Sequence, residues 1–170
     1  VHIYPDSYVP NADLSGLDLS GIDFSRVNFP NANFAGSNLQ GANLSNANLP
    51  EANFSGANLK DAVLNTTYIS RGSLKDANLA GADLSDTFLF EANLSNANFS
   101  NSILNGAILE GANLNGANLL NAKLEGVSSG GISGIPFNVP LGFKMINGAI
   151  LGPKATVYEP HDFSGADLSG

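Results

Sequence analysis

The 170-residue chain carries 15 acidic and 7 basic side chains, which give it a net charge of −8 at pH 7. Such a balance repels nucleic acid phosphates and anionic membranes, and the longest apolar runs are far shorter than the ~18 residues that span a bilayer. The lack of cysteine excludes disulfides, thiolate nucleophiles and cysteine-based zinc sites. We therefore expect one domain that binds no nucleic acid and does not span a membrane.

Residues 1–11 are the first predicted element, a cap at the N-terminal end of a repetitive region. Pro5 and Pro10 lack a backbone N–H and would prevent another chain from pairing there. Five apolar side chains are available to close the cross-section: Tyr8, Val9, Leu17, Ile22 and Val27. The alternative is that the last three are tolerated substitutions in a slot that elsewhere holds small residues.

Residues 12–126 form the second predicted element, in which an apolar residue returns at every fifth position. We call these positions the centres; the 23 centres from Leu14 to Leu124 hold 17 Leu, 5 Phe and 1 Ile. Helices repeat near 3.6 residues and strands at 2, so a period of five indicates internal structural repeats. The residue two positions before each centre is usually Ala. The residue two positions after it is usually Gly, Asn or Asp, which accept a positive φ. Each unit is predicted to be a short extended piece followed by a corner.

Extended pieces joined by corners let the chain return above itself and pair with the rung below, about 4.8 Å away. This arrangement predicts an all-β parallel β-helix with the centres stacked in interior columns. The A(D/N)LXX motif that carries the pattern is seen at residues 12–14, 42–44, 57–59 and 112–114, and it resembles the pentapeptide-repeat proteins. The resemblance implies a right-handed quadrilateral β-helix, here of about six coils, and a function that is usually not catalytic.

Two further segments follow Leu124, where the five-residue frame fails. Residues 127–146 are rich in Gly and Pro and are predicted to be an irregular insertion. The sequence NGAIL at 147–151 repeats NGAIL at 105–109, so residues 147–170 are interpreted as a resumed, partial repeat block. We expect its centres at Leu151, Val157, Phe163 and Leu168.

The side chains that enzymes and metal sites need are scarce. His2 and His161 are the only histidines, and neither has a companion at the spacing of a catalytic or metal site. Asp13, Asp18 and Asp23 lie on successive extended pieces, so we do not expect them to converge on one ion. The prediction is a protein that is not an enzyme and has no catalytic residue, cofactor or metal.

Residues 20 apart are expected to stack one rung apart, and their columns are informative. One column holds Asp18 followed by Asn at 38, 58, 78, 98 and 118, which predicts a ladder of side-chain hydrogen bonds. A second column holds Glu51, Arg71 and Glu91, so opposite charges alternate along one corner. Both patterns are interpreted as structural.

Apolar residues replace the usual polar ones at outward positions in the C-terminal half of the repeats. The members of this predicted patch are Val63, Tyr68, Phe88, Phe90, Ile103, Ile108 and Leu120. A patch of this kind marks either a site for a partner protein or a surface that the protein itself covers. Residues 127–153 carry enough apolar side chains to cover it, so both interpretations stay open.

The leading functional hypothesis is a structural or protein–protein interaction module, a rigid acidic rod that presents a flank or an end to another protein. One form of this hypothesis is an accessory subunit attached to a membrane complex through protein contacts. Acidic members of the class resemble accessory proteins of exported compartments, and the first residue is Val1 rather than Met, so we expect the thylakoid lumen, the periplasm or the extracellular space. The alternative is a DNA mimic that binds a DNA-handling protein such as gyrase.

Overall fold

The computed structural model describes residues 4 and 6–157, and most of these residues form a four-sided parallel β-helix. Its extended pieces are so short that each pairs through one residue, in 23 isolated parallel bridges, 22 of which join residues 20 apart. The last bridge, Asn118 to Phe137, is one residue shorter. The bridges form four columns, which we call faces 1, 2, 3 and 4; they start at Tyr8, Asp13, Asp18 and Asp23. Faces 1 and 3 lie on opposite sides of the rod.

The corners between faces adopt the left-handed conformation that the sequence predicts. Every fifth residue from 6 to 126 has a positive φ, for example 58° at Asn46 and 67° at Gly56. Larger residues take the same conformation where the repeat places them at a corner, including Arg71 with φ 59° and Thr66 with φ 55°. The rung-to-rung hydrogen bonds therefore impose the corner even on residues that disfavour it.

The core is the filled interior of this tube. Every centre from Leu19 to Leu124 is buried, and Leu14, in the first coil, is half-buried. The rings of Phe34 and Phe54 stack one rung apart, with centroids 4.7 Å apart and planes within 1° of parallel. The small residues two positions before the centres also face inward, from Ala32 to Ala122. Both inward columns were predicted and are confirmed.

The asparagine ladder on face 3 is also confirmed. Asn38 Nδ2 donates to Asp18 Oδ1 at 2.9 Å, and each later amide donates to the one a rung below it, ending with Asn138 to Asn118 at 3.3 Å. All the donors point towards the N-terminal end, so the ladder ends on an acceptor. Asp18 provides that acceptor with a full negative charge, which suits the end of an aligned row of N–H dipoles.

The N-terminal end is closed only in part by the side chains that we expected to cap it. Val27 is buried and Ile22 is half-buried against the core, but Leu17 remains 47% exposed. Tyr8 and Val9 are exposed as well. Tyr8 occupies an outward bridging position on face 1, so its ring cannot lie over the open end. Pro5 lies outside the described residues.

The C-terminal end is closed by a short hairpin. The chain forms β1 (Ser128–Ser129), β2 (Lys144–Ile146), β3 (Ala149–Leu151) and β4 (Thr156–Val157). The antiparallel pair β2–β3 places Ile150 in the interior, where its backbone N–H donates to Ser129 Oγ at 3.0 Å. β4 then returns to parallel stacking on β1.

Two parts of this end differ from the sequence-based expectation. Parallel bridging continues past residue 126, through Ser128, Ser133 and Phe137. Residues 147–151 do not stack as a repeat, because Asn147 and Gly148 both have positive φ and form the two-residue turn between β2 and β3. The expected centres Phe163 and Leu168, and the side chain of Val157, lie outside the described residues.

Candidate functional site

The outward column of face 1 changes from polar to apolar halfway along the rod. Asn28 and Asn48 are followed by Tyr68, Phe88 and Ile108, all joined by consecutive parallel bridges. The amide of Asn48 donates to Asn28 Oδ1 at 2.9 Å, as elsewhere in the repeats. Above it the hydrogen-bonded ladder is replaced by ring contact, because the Tyr68 and Phe88 centroids are 5.8 Å apart. The change of residue type thus converts a structural column into an apolar one.

We call Tyr68, Phe88, Phe90 and Ile108 the aromatic strip. Phe90 belongs to it because it follows buried Leu89 on the same extended piece of face 1. Tyr68 is 42% exposed, and Phe88 and Phe90 are each 39% exposed, while Ile108 is half-buried. Three aromatic side chains on one flat face therefore keep a large part of their apolar surface in water, at a free-energy cost of roughly 25 cal/mol per Å².

The other three predicted patch residues lie elsewhere. Val63 and Ile103 stand on the adjacent face 4, where Asp83 separates them in the column. Leu120, 46% exposed, follows the Asn118 bridge of face 3, on the opposite side of the rod from the aromatic strip. The seven residues are therefore not one patch. The sequence alone places Leu120 and Phe90 on different faces. A residue returns to the same face after four five-residue units, and Leu120 is six units after Phe90, which places it on the opposite face.

The C-terminal insertion does not cover the aromatic strip within the part of the chain that the structure describes. It lies over the end of the tube, where Phe143 and Met145 pack against the core. The segment after the insertion is held to the last rung of face 4 by a salt bridge of 2.7 Å between Lys154 Nζ and Glu125 Oε1. Other apolar side chains of the insertion are exposed, with Ile135 at 81% and Phe137 at 63%, and the side chains of the strip stay exposed as well.

Acidic side chains surround the aromatic strip. Asp83 and Asp86 precede Phe88 on the side of face 4, and Glu91 follows it at the corner with face 2. Glu110 stands one rung above Phe90, and one of its carboxylate oxygens accepts the Ser128 hydroxyl. Of these four acidic groups only Glu91 was singled out from the sequence, as part of the corner column with Glu51 and Arg71, although the 20-residue spacing would have located the others.

The basic side chain next to the strip is held by an acidic neighbour. Arg71 Nε donates to Glu91 Oε2 at 2.8 Å, which is the contact expected from their shared corner column. This hydrogen bond and the charge of Glu91 raise the pKa of the Arg71 guanidinium, with a smaller contribution from Glu51. Lys60 and Lys75 follow bridges of faces 3 and 2, away from the strip, while Lys123 lies above Ile103 on face 4. Acidic side chains therefore outnumber basic ones around the strip.

The backbone of face 1 is already paired at the bridging residues of the strip. Tyr68 N donates to Ala47 O at 2.9 Å, and its carbonyl accepts Leu49 N at 2.8 Å. Phe88 is paired in the same way with the backbone at positions 67 and 69. At these bridging residues a ligand therefore meets side chains and cannot add a strand to the sheet. Among residues 4 and 6–157 no three His, Asp or Glu side chains are grouped to hold a metal ion.

Comparisons with known proteins point to one family. The profile described as Pentapeptide repeats matches in 8 copies, over residues 11–46, 28–65, 37–76 and 92–128. No curated protein matches the chain. In the part of the chain that is described, no helix is long and apolar enough to cross a bilayer.

Several solved structures are similar to this chain. A pentapeptide repeat protein from Nostoc PCC 7120 is 35% identical over 62% of this chain and 84% of its own, with a TM-score of 0.40. Another, from the thylakoid lumen of Arabidopsis thaliana, is 32% identical over 66% of this chain and 71% of its own, with a TM-score of 0.31. QnrB1, a plasmid-mediated fluoroquinolone resistance protein, is 19% identical over 72% of this chain and 69% of its own, with a TM-score of 0.42.

Proposed function

The chain belongs to the pentapeptide-repeat family, and on that premise we propose that it is a non-enzymatic interaction module that presents its aromatic strip to another protein. Members of the family fold as right-handed quadrilateral β-helices and are generally structural or interaction modules. The observation that carries the proposal is the exposure of Tyr68, Phe88 and Phe90, whose slots hold Asn at positions 28 and 48 and Ser at position 70. Exposed apolar clusters of this kind are typical of binding surfaces.

Rigidity supports the same function. The strip residues stand on a face whose backbone is bonded to the rungs above and below, and each is anchored beside buried centres such as Ile69 and Leu89. Aromatic rings on a fixed backbone lose little conformational entropy when a partner binds. Such a surface therefore retains more of the free energy gained by burying its apolar area.

The experiment compares which proteins are retained from an extract of the source organism by three forms of the full chain. The first is the wild type, the second carries Tyr68→Asn and Phe88→Asn, and the third carries Leu120→Ser on the opposite face. Asn is the residue at positions 28 and 48 of the same column, and Ser is the residue at 20 and 100 in the slot of Leu120, so both variants use side chains that the repeat already accepts.

The proposal requires a protein that is retained by the wild type and by Leu120→Ser but lost with the double variant. Retention that is equal for all three forms would show that the strip is not the docking surface. Thermal unfolding of each form serves as the control for folding.

We also propose an exported compartment, with the rod as an accessory subunit of a membrane-associated complex. The support is the acidic composition, which keeps the rod away from anionic lipid surfaces unless a protein contact holds it there. Fractionation of the source organism tests this proposal. The protein should co-sediment with membranes at low salt and be released by a chaotrope; recovery in the cytosol alone would exclude it.

The DNA-mimic alternative has weaker support. A mimic needs carboxylates in continuous lines along the rod, at the spacing of phosphates. On face 3 the outward column is an amide ladder with a carboxylate only at Asp18, and the acidic corner column of Glu51 and Glu91 is interrupted by Arg71. Inhibition of gyrase supercoiling at a stoichiometric amount of this protein would favour the alternative.

A further inference from the structure

We propose that the aromatic strip binds an amphipathic helix of another protein, laid along the rod axis, with Lys and Arg on both sides of its apolar stripe. This inference rests on the proposed function and specifies the chemistry of the partner. Three properties of the described residues carry it: the spacing of the strip, the pairing of its backbone and the charge on its two edges.

The spacing of the strip fits a helix. Tyr68, Phe88 and Ile108 are joined by consecutive bridges, so they follow one another at about 4.8 Å and span about 10 Å. Two turns of an α-helix, from residue i to i+7, also span about 10 Å and carry three apolar side chains on one stripe. In an extended peptide, side chains on one face repeat at about 6.6 Å and lose register with the rungs.

The paired backbone disfavours an extended peptide for a second reason. Peptides that bind as strands gain most of their affinity from main-chain hydrogen bonds to an open sheet edge. At Tyr68 and Phe88 the N–H and the C=O are bonded to neighbouring rungs, so that gain does not exist at these two residues. A helix satisfies its own backbone and needs only side-chain contacts.

The charges on the edges specify what flanks the apolar stripe. Asp83 and Asp86 lie along one edge of the strip, and Glu91 and Glu110 lie along the other. Arg71 is engaged by Glu91, as its 2.8 Å hydrogen bond shows. Lys or Arg on the helix would meet carboxylates at the Asp83–Asp86 edge that form no salt bridge with another described residue, and a weaker net negative charge at the other edge, where Glu91 is paired with Arg71 and Glu110 keeps one oxygen buried. Acidic flanks would be repelled.

The same charges argue against a second copy of this chain on the strip. Two copies that met face to face through a two-fold axis would bring the same four carboxylates together. Each copy also carries a net charge of −8. Like charges across an interface cost free energy and select against that pairing. A basic segment of a different protein fits the surface better.

The test uses two synthetic helical peptides of about 14 residues as probes, since this length supports about four turns. Both carry the same Leu stripe; one has Lys on its flanks and the other has Glu. Binding to the full chain is measured by fluorescence anisotropy. We expect the Lys peptide to bind at least about tenfold more tightly than the Glu peptide, a factor that corresponds to about 1.4 kcal/mol.

Four variants locate the binding. Tyr68→Asn with Phe88→Asn should weaken the Lys peptide about tenfold, and Leu120→Ser should leave its affinity within about twofold. Replacing the edge acids together, with Asp83→Asn, Asp86→Asn and Glu91→Gln, should weaken it several-fold. The matched control, Asp13→Asn with Asp18→Asn and Asp23→Asn, removes the same number of charges from the first coil and should change the affinity by much less.

The inference is overturned if neither peptide binds, if both bind equally, or if the charge control weakens binding as much as the edge variant does. Binding that survives Tyr68→Asn with Phe88→Asn would also overturn it, because the attraction would then be a general one to an acidic rod. These results leave the proposed function intact if the extract still yields a protein that the wild type retains and the double variant loses. If that protein is missing too, the proposed function fails as well.

Discussion

The rings of Tyr68 and Phe88 lie 5.8 Å apart and are tilted by 38° because one parallel bridge joins their backbones. The repeat therefore aligns these side chains without any further contact from the rest of the chain. The same geometry means that polar residues at both positions would face each other at hydrogen-bonding distance, as Asn28 and Asn48 do. The fold therefore permits aromatic residues at these two positions but does not require them.

The first prediction is that Tyr68→Asn with Phe88→Asn leaves stability nearly unchanged. The aromatic pair contributes about 0.5–1.5 kcal/mol beyond burial, and the two new amides would extend the ladder above Asn48 at roughly 1 kcal/mol per hydrogen bond. We expect the free energy of unfolding to change by less than about 1 kcal/mol. Chemical denaturation measures this change. A loss of several kcal/mol would mean that the strip is part of the folding core.

The second prediction concerns the ladder on face 3. Asn78 donates to Asn58 at 3.1 Å and accepts from Asn98 at 3.2 Å, so Asn78→Ala removes two rung-to-rung hydrogen bonds. We expect a loss of about 2 kcal/mol in denaturant unfolding. The control is Gln40→Ala, an exposed position on the same face, which should cost less than about 0.5 kcal/mol. Equal effects of the two changes would show that the ladder is not stabilising.

The third prediction concerns the strained corner at Thr66. A β-branched residue with φ 55° is unfavourable by roughly 1–3 kcal/mol, yet its Oγ1 is held 2.7 Å from Asn46 Oδ1. Thr66→Asn keeps a donor for that oxygen and tolerates the left-handed conformation, so stability should rise by about 1 kcal/mol. Thr66→Val keeps the branch and removes the donor, so stability should fall. The opposite order of melting temperatures would refute this explanation.

The fourth prediction is a pH dependence that originates in the first coil. The pKa values of three carboxyl groups, Asp13, Asp18 and Asp23, are lowered below 3.8 by hydrogen bonds. The largest cause is the Ser15 hydroxyl for Asp13, the Ser20 hydroxyl for Asp18 and the Ser25 backbone N–H for Asp23. A lowered pKa in the folded state means that the stabilisation is present above the unfolded value and is lost as pH falls through the folded value.

The measurement is the melting temperature of the wild type and of Asp13→Asn with Asp18→Asn and Asp23→Asn, at pH values from about 7 to about 2. The wild type should be the more stable protein at neutral pH, and its advantage should shrink as the pH falls below about 3.8 and disappear once the pH is below the folded-state pKa values. An advantage that grows as the pH falls would have the wrong sign for this explanation.

The interior and the corners could be predicted from the sequence because each obeys a rule that is local to one five-residue unit. Leu44 lies inward and Asn46 takes a positive φ for reasons present in any unit: apolar burial at the centre and left-handed tolerance at the corner. The ladder from Asp18 also follows, since a fixed 20-residue return brings equivalent side chains together. Because each rule depends only on the residues of one unit, it applies equally to every unit of the repeat.

The surface patch was harder to predict because an outward slot does not by itself say which face it is on. Leu120 and Phe90 have the same position within their units, but they lie on opposite faces. The prediction of a resumed repeat at residues 147–151 was wrong for a related reason. NGAIL at 105–109 is held in register by the rung below, where Phe88 pairs with Ile108. At 147–151 the chain lies on the last rung as part of the antiparallel pair β2–β3, with Asn147–Gly148 as its hairpin turn. The same five-residue sequence therefore adopts different conformations, depending on the backbone segment with which it pairs.

The central claim, that this rod is an interaction module that works through its aromatic strip, is tested most directly by site-specific photo-cross-linking. A benzophenone amino acid is placed at position 88 in one form of the protein and at position 120 in another, and each is irradiated in an extract of the source organism. The proposal predicts a defined cross-linked protein from position 88 that is missing from position 120. The same product from both positions, or a product from position 120 alone, would contradict it.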